Sequence, residues 1–234
     1  MKKTALLVTV IAGLSLSAAD SNPKDEITAA AKKLGESDNY SWRTTVVVPE
    51  DAPFKPGPTE GKTEKDGYTW LSITFGDNET KAVLKGDKGA VKGTDGDWQT
   101  LSEMANEQGP MRFLAMRLQT FKAPAAQVQQ LVSFAKELKK DGDTYSGGLT
   151  EEGAKTMLSF RPRAGGDAPA VSNAKGSVKF WLKDGLLTKY EFNLKGTMNF
   201  NGNDLDQDRT STVIIKDVGA TKVSVPDEAK KKLL

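Results

Sequence analysis

The sequence predicts an α+β fold in which a strongly curved antiparallel sheet, an incomplete β-barrel, carries a helical lid over its concave face. Short segments of alternating apolar and polar residues recur along the chain between Asp-Gly or Gly-rich turns, which is typical of β-hairpins. One central stretch, Ser102–Leu138, instead has apolar residues at helical spacing. A long sheet with one apolar face needs helices to cover that face, so the insert is expected to form the lid.

The first 19 residues are predicted to be a secretory signal peptide. Two lysines supply a basic start, an apolar run extends from Ala5 to Leu16, and small residues precede an expected cleavage near Ala19. The apolar run is shorter than the roughly 20 residues that a membrane-spanning helix needs. We therefore expect a periplasmic or secreted mature protein, residues 20–234, that forms a single domain without a membrane span.

The first elements of the mature chain follow from residue spacing and type. Apolar residues at helical spacing predict a helix over Asp25–Glu36, and aromatic and β-branched residues predict a strand over Tyr40–Val48. Four prolines in Pro49–Gly61 predict an exposed loop, because proline has no N–H to donate to a sheet ladder. Alternation predicts a strand over Thr69–Phe75 and further hairpins up to Leu101.

Proline and threonine mark helix starts in the middle of the chain. Pro110 and Pro124 are expected to begin helices of the lid, and Thr150 to cap a short helix that ends at Leu158. Arg161–Lys175 is rich in Pro, Gly and Ala, and it is therefore predicted to be a surface loop.

The last third of the chain has the clearest strand pattern. Asp184-Gly185 predicts a tight turn, and apolar residues then alternate with polar ones over Leu186–Phe200. This length of alternation indicates a long antiparallel strand with one solvated face. Thr210–Val218 is expected to pair with it, and Val223–Pro226 to close the sheet before a charged tail.

Charge and cysteine content exclude several classes of protein. The chain has 33 Lys and Arg and 31 Asp and Glu, and two of the lysines lie in the leader, which leaves 31 of each sign. A neutral, well-mixed surface without a basic stripe argues against a nucleic-acid partner. The chain contains no cysteine, so a protein in an oxidising compartment would depend on its core rather than on disulfides.

The residues needed for common catalytic and metal sites are missing. Without histidine and cysteine, the chain cannot form the usual nucleophile triads or transition-metal sites. Asn203–Asp208 resembles the start of a calcium loop, but Arg209 and Ile215 occupy the positions that require Gly and Glu. We interpret this segment as a solvated tip between two strands. The sequence therefore predicts no enzyme activity, no metal site and no cofactor.

Two residue types remain open to more than one interpretation. Methionine is flexible and polarisable, so the methionines of the mature chain either fill the core or form an adaptable apolar surface; they are Met104, Met111, Met116, Met157 and Met198. The four tryptophans fit core packing or a sugar platform equally well. Among them, Trp181 is expected to face away from its apolar neighbours.

Three segments in the closing third resemble the LolA/LppX-like superfamily of periplasmic and envelope lipoprotein carriers: Gly176–Phe192, Thr210–Gly219 and Val223–Pro226. In that family, a tryptophan-bearing strand, a long strand and a final strand complete the sheet. The order of an N-terminal helix, a strand series and a helical insert also agrees. The resemblance implies a strongly curved sheet whose apolar concave face is roofed by helices and receives acyl chains.

The resemblance suggests a soluble periplasmic carrier that binds a lipid or an acylated protein in an apolar cavity. The expected wall of that cavity consists of large apolar residues from both the sheet and the lid: Leu71, Ile73, Phe75, Met111, Leu114, Phe180, Phe192 and Met198. An alternative is an interaction or stress-sensor module that binds another envelope protein and has a filled core. A hydrolase of unrecognised type is a third hypothesis.

Overall fold

The computed structural model describes residues 22–52, 55–76, 78–93, 95–106, 109–159, 170–200 and 202–234. The predicted signal peptide and its cleavage near Ala19 lie outside these residues. The described residues form six helices and 11 strands. The helices are α1 (Pro23–Glu36), α2 (Leu101–Ala105), α3 (Pro110–Gln119), α4 (Pro124–Phe134), α5 (Glu151–Leu158) and α6 (Asp227–Lys231).

The strands divide into a series before the helical insert and a series after it. The first series is β1 (Asn39–Val47), β2 (Pro56–Glu64), β3 (Thr69–Phe75), β4 (Asn78–Lys85), β5 (Lys88–Lys92) and β6 (Trp98–Thr100). The second series is β7 (Lys139–Asp141), β8 (Thr144–Gly148), β9 (Ala170–Lys183), β10 (Leu186–Phe200) and β11 (Asn203–Lys216). The predicted helix starts at Pro110, Pro124 and after Thr150 are confirmed.

All 11 strands belong to one antiparallel sheet, in the order β6-β5-β4-β3-β2-β1-β11-β10-β9-β8-β7. The two series are therefore meanders that meet at the centre, where Trp42 on β1 lies opposite Ile215 on β11. The sheet is open, because β6 and β7 are its edges and do not pair with each other. This arrangement confirms the predicted α+β fold, an open curved antiparallel sheet with helices.

The turn between β9 and β10 shows how local sequence sets the register. Asp184 and Gly185 both have positive φ angles, 52° and 70°, as a two-residue hairpin turn requires. From this turn, β10 pairs with β9 up to Asn199 opposite Ala170. The hairpin predicted at this turn is confirmed.

Helix α1 begins at a strong start signal and covers the sheet. The Asn22 side chain accepts a hydrogen bond from the Lys24 amide at 3.0 Å, and Pro23 occupies the first turn, where no N–H is needed. The predicted helix is confirmed and starts two residues earlier than expected. Its buried residues recur at helical spacing: Ile27, Ala30, Ala31 and Leu34.

The main hydrophobic core lies between the first five helices and one face of the sheet, which we call the inner face. One row of this face crosses three strands through Phe180, Tyr190 and Val213, all of which are almost fully buried. Helices α1 and α5 pack against β9 and β10, and α4 packs against both helices. Burial of this face supplies the main driving force for folding, because about 25 cal/mol is gained for each Å² of apolar surface removed from water.

The C-terminal segment forms a second, smaller core on the opposite face of the sheet, the outer face. Val225, Ala229 and Leu233 pack there against Val83 and Trp98. The prediction that Val223–Pro226 closes the sheet is therefore wrong, since these residues lie outside the strands. The physical reason is that β4 and β5 are apolar on both faces, so their outer face also needs a cover.

The predicted loop Pro49–Gly61 is wrong in its second half, because β2 begins at Pro56. Strand β1 pairs with β2 only from Thr59 to Glu64. Pro56 and Pro58 lie beyond this pairing, where the neighbouring strand β1 does not require an N–H donor from them. On the other side, Pro56 pairs with Phe75 of β3, and Pro58 lies in an irregularity between Pro56 and Thr59. Proline is tolerated at such strand ends and bulges.

Two further loop predictions need correction. Of the predicted loop Arg161–Lys175, residues 161–169 lie outside the described part, and residues 170–175 belong to β9. The predicted tip Asn203–Asp208 is the first part of β11, although its acidic side chains are exposed or partly exposed. Cross-strand bonds explain the extension, since Asp206 accepts from Thr197 at 2.8 Å and Asp208 pairs with Lys195 at 2.8 Å.

Candidate functional site

The residues predicted to line a cavity lie in a densely packed region of the protein. Five of them are buried members of the main core: Leu71, Ile73, Leu114, Phe180 and Phe192. Met111 is partly buried and packs against that core, and Met198 is buried but belongs to neither core cluster. The side chain of Phe75 lies outside the described residues, although its backbone ends β3. A guest-sized hollow between these residues stays a prediction.

Three aromatic side chains meet on the inner face, at a contact between β1 and the link that joins α3 to α4. Tyr40 and Trp42 come from β1, and their ring centroids are 5.7 Å apart. Trp42 is also stacked with Phe121, with centroids 6.3 Å apart and an angle of 20° between the ring planes. Phe121 belongs to the link, residues 120–123, and is only partly buried. We call these three residues the aromatic cluster.

Gly61 on β2 gives the aromatic cluster its shape. Gly61 lies opposite Trp42 in the sheet, and the indole lies across the space that a side chain at position 61 would fill. A Cβ atom there would lie 2.6 Å from Cη2 of Trp42 and still closer to two other ring atoms. Glycine in a strand often marks such a close approach. The indole therefore fills inner-face space above β2 that would otherwise be free.

A cavity of about 200 Å³ borders the aromatic cluster. It lies between the α3–α4 link and the strands β3 to β5, and its lining combines apolar and polar residues: Thr69, Leu84, Lys88, Leu101, Leu118 and Phe121. Phe121 thus has Trp42 on one side and this cavity on the other. The ring of Phe121 therefore lies at the border between the cavity and the aromatic cluster.

Few hydrogen bonds join the link to the sheet. The Ala125 amide, at the start of α4, donates to the Tyr40 hydroxyl at 3.4 Å. The amides of Thr120 and Phe121 donate to carbonyls of α3 instead, at 3.4 and 3.2 Å. Among the described residues, the contact of the link with β1 therefore depends mainly on aromatic packing.

Burial of Tyr40 raises its pKa to about 12, and the bond from Ala125 opposes this rise only in part. In the unfolded chain the hydroxyl ionises near pH 10. We expect the contribution of Tyr40 to stability to be complete below pH 10 and to be lost between about pH 10 and 12, at no more than about 1.4 kcal/mol per pH unit. Chemical unfolding measured across this range checks the slope.

The variant Tyr40→Phe is the control for this pH dependence. Burial also raises the pKa of Tyr190 and Tyr145, so the slope should become shallower in the variant without disappearing. An unchanged slope in Tyr40→Phe would show that Tyr40 titrates alike in the folded and unfolded chains.

The outer face carries a cavity of about 300 Å³ and a partly buried aromatic side chain, Trp181. The cavity lies over β8 to β10 and is lined in part by Ser146, Lys179 and Glu191. Trp181 faces this side, as predicted, with the Lys189 and Lys179 ammonium groups 4.1 and 5.0 Å from its ring centroid. Cation–π pairs of this kind hold the indole in place.

Sequence reasoning missed two arginines on the helix-covered side of the sheet. Arg209 on β11 lies opposite Leu194, whose side chain is fully buried on the inner face. Burial lowers the pKa of Arg209 to about 10, and the positive charge of Arg117, an exposed residue on α3, adds to this effect. The alternation of β11 could have predicted the inward orientation of Arg209, because Arg209 shares its strand face with the buried residues Val213 and Ile215.

The described residues show neither a metal-ligand cluster nor a membrane-spanning helix. No group of three or more acidic side chains there is placed to hold a metal ion. None of the described helices combines the length and hydrophobicity that a membrane crossing requires.

Comparison with solved structures identifies the fold. The lipoprotein LppX of Mycobacterium tuberculosis superposes with a TM-score of 0.50 and 14% sequence identity, over 89% of this chain and 100% of that chain. The chain has the LppX-like fold. No family model matches the sequence, and no curated protein matches it.

Two further structures align over most of the chain with lower scores. LprF of Mycobacterium bovis has a TM-score of 0.44 and 12% identity, over 88% of this chain and 97% of that chain. A LolA superfamily protein of Nitrosomonas europaea has a TM-score of 0.38 and 11% identity, over 91% and 97%. The resemblance that the sequence showed in Gly176–Phe192, Thr210–Gly219 and Val223–Pro226 had predicted the LppX-like fold.

Proposed function

We propose that this protein is a non-enzymatic carrier that binds an acyl chain, from a lipid or an acylated protein, in the periplasm or outside the cell. The LppX-like fold supports a binding role, because it presents one large apolar face under a helical cover. The aromatic cluster is the observation that carries the proposal. It closes the inner face with side chains that a guest could replace.

The energies favour such a replacement. An aromatic pair contributes about 0.5–1.5 kcal/mol beyond the burial of its area. Burial of an acyl chain gains about 0.8 kcal/mol for each methylene, so six methylenes gain about 5 kcal/mol. A guest that displaces Phe121 from Trp42 and occupies the inner face therefore gains more than the ring pair loses. In the unliganded protein, the same rings keep water away from the core.

The wall residues on the lid side would move with α3. Helix α3 packs mainly against α2 and β5, whereas α1, α4 and α5 cover the other half of the sheet. Gly109 caps α3 without a side-chain hydrogen bond, and Phe113 on its surface is 55% exposed. We infer that α3 and the link open, while α1, α4 and α5 stay in place.

Extraction tests the proposal directly. Gently purified protein is extracted with organic solvent, and mass spectrometry of the extract is expected to detect lipid. In parallel, the unliganded protein is titrated with a fluorescent fatty acid. We expect saturable binding and a change in tryptophan emission. An empty extract together with a flat titration would contradict the proposed function.

A pair of phenylalanine variants links uptake to the aromatic cluster. Phe121→Ala removes the ring between cavity and interior, so the fatty acid should associate several-fold faster than with the parent protein. Phe134→Ala is the matched control, because Phe134 is also partly buried against the main core but lies at the end of α4. It should lower stability without changing the association rate. Equal rates in both variants would show that Phe121 is not the gate.

Dense packing of the inner face favours a second candidate function, an interaction module that binds another envelope protein through its outer face. The platform of Trp181 and its two lysines is the surface that such a partner would contact. Ligand-free protein whose partner binding is abolished by Trp181→Ala would favour this function over lipid transport.

A further inference from the structure

Helix α3 has two faces of different character. Leu114, Ala115 and Leu118 lie on the face that packs into the main core, and they are almost fully buried. Residues three or four positions apart on a helix are neighbours, so the side chains of the opposite face form a connected stripe. This α3 stripe consists of three exposed residues and one partly buried methionine: Arg112, Phe113, Met116 and Arg117.

The centre of the α3 stripe is apolar. Phe113 is 55% exposed, and it is the only exposed aromatic side chain in the described part of the chain. Met116 lies one turn further along the helix and adds a flexible apolar side chain next to the ring. Single exposed apolar residues are common on protein surfaces, but a pair of them on one helix face offers a contact that a partner can bury.

The charges around this apolar centre are all positive. Arg112 and Arg117 lie on either side of it, and Lys122 is exposed in the α3–α4 link. The sequence has no acidic residue at positions 109–136. None of the ion pairs found among the described residues involves these three cations, and Glu103 on the neighbouring helix α2 pairs with a lysine of the C-terminal segment instead.

A membrane surface that contains anionic lipid matches this combination of groups. Lysine and arginine side chains are attracted to such a surface, and the attraction adds up over several charges. Arginine can lay its apolar stem along the membrane boundary and keep its guanidinium among the head groups. A phenylalanine between two arginines can then enter the boundary between head groups and acyl chains. The charges and the ring of the α3 stripe would thus contact the same surface together.

We propose that the α3 stripe docks the protein on a membrane that contains anionic phospholipid. The α3–α4 link follows the stripe directly, and Phe121 in the link borders both the aromatic cluster and the cavity of about 200 Å³. Docking would therefore bring the proposed opening next to the membrane lipids. The docking itself goes beyond the proposed carrier function, and only the transfer of a guest at the docked surface rests on that function.

Vesicle flotation of the mature protein tests the docking. One set of vesicles is pure phosphatidylcholine, and the other contains about 30% phosphatidylglycerol, an anionic lipid. We expect at least about tenfold tighter binding to the anionic vesicles, because each cation near such a surface adds about fivefold. Added salt should weaken this binding, since it screens the charges.

A double variant tests the two arginines of the stripe. Arg112→Gln combined with Arg117→Gln should weaken binding to the anionic vesicles about 25-fold. The matched control combines Lys92→Gln with Lys216→Gln, which removes the same charge from exposed positions on β5 and β11. This control should weaken binding less than about threefold, because charges that do not touch the membrane are screened.

A further pair of variants tests the apolar contact. Phe113→Ser should weaken binding to the anionic vesicles about tenfold, because the ring no longer leaves water when the protein docks. Ile214→Ser is the matched control, because Ile214 is 41% exposed but lies on β11. It should bind the vesicles like the parent protein. Thermal unfolding should show parental stability for the variants in the α3 stripe, since the replaced side chains are exposed.

The outcomes separate docking from the carrier function. Equal binding to both kinds of vesicle, or an equal loss in the lysine control, would overturn docking through the two arginines. Equal binding of Phe113→Ser and Ile214→Ser would overturn the apolar contact and with it the proposed surface. Protein that takes up the fluorescent fatty acid but does not float with anionic vesicles would overturn docking and leave the carrier function intact. Vesicle binding without fatty-acid uptake would support docking and contradict the carrier function.

Discussion

Gly61→Ala is expected to lower the free energy of unfolding by about 2–3 kcal/mol, although alanine normally favours an ordered strand over glycine. The new methyl group would overlap the indole of Trp42, which is almost fully buried and stacked on Phe121. The ring must leave its position, and a core as dense as this one accommodates such a shift poorly. Denaturant unfolding at neutral pH measures the loss.

Gly148→Ala is the matched control for this prediction. Gly148 also lies in a strand, but its nearest atoms to an added Cβ are at 3.9 and 4.0 Å, which is ordinary contact. This variant should keep the parental stability or gain up to about 1 kcal/mol, because alanine has fewer unfolded conformations to lose. Equal stability of the two variants, with an unshifted Trp42 indole N–H resonance, would show that the indole does not lie over position 61.

The Gly61 variant also reports on the proposed opening. A displaced Trp42 cannot stack on Phe121, so the α3–α4 link should lose its main contact with β1. Amide hydrogen exchange in α3 would then accelerate, while exchange in α4 would stay slow. This pattern would show that the aromatic cluster, and not the whole helical cover, determines how readily the inner face opens.

Local patterns were enough to predict the strands that are apolar on one face. In β10, alternation specifies the strand length and facing, and the Asp184-Gly185 turn specifies the hairpin with the end of β9, because a shift of one residue would expose every buried side chain. The first six residues of β9 were not predicted, since their small and polar side chains indicated a loop. The helix starts at Pro110 and Pro124 were equally predictable, since proline there needs no N–H partner.

Features that depend on distant contacts were not predictable in this way. Nothing next to Pro56 shows that the pairing of β1 with β2 stops at Thr59, so the proline run indicated a loop. The cover over β4 and β5 comes from residues more than 100 positions later. The continuous apolar run Ala82–Leu84 was nevertheless a usable sign that this strand is buried on both faces.

The sequence predicted which residues form the apolar face of the candidate site, but not whether that face is open or covered by other side chains. Alternation places Phe180 and Phe192 on the apolar face of the sheet, but it does not show whether a lid side chain already fills the space above them. The stack of Trp42 on Phe121 joins residues that are about 80 positions apart in the sequence. The only feature of the sequence that pointed to it was Gly61, a glycine inside a strand. Arg209 is the one charged residue on the inner face of β11, and the sequence alone did not show that it contacts the Met157 carbonyl of α5.

Tyr190→Ala is expected to destabilise the protein by about 3–5 kcal/mol, because it empties the best-packed part of the inner face. The ring is fully buried between its neighbours on β9 and β11 and is stacked on Phe192, with centroids 6.4 Å apart. Its hydroxyl also donates to Oε1 of Gln127 on α4 at 2.6 Å. Denaturant unfolding of the variant measures the total cost.

Tyr190→Phe separates the contribution of the ring from that of the hydrogen bond, and it also tests where a guest can bind. It keeps the ring and removes only the hydrogen bond to Gln127, so it should cost about 1–2 kcal/mol. The difference between the two variants measures how tightly the space under α1 and α4 is filled. If both variants cost the same, the ring contributes little and the anchored half of the inner face is already loosely packed. A large difference would instead restrict guest binding to the half next to α3 and the α3–α4 link, where the aromatic cluster lies.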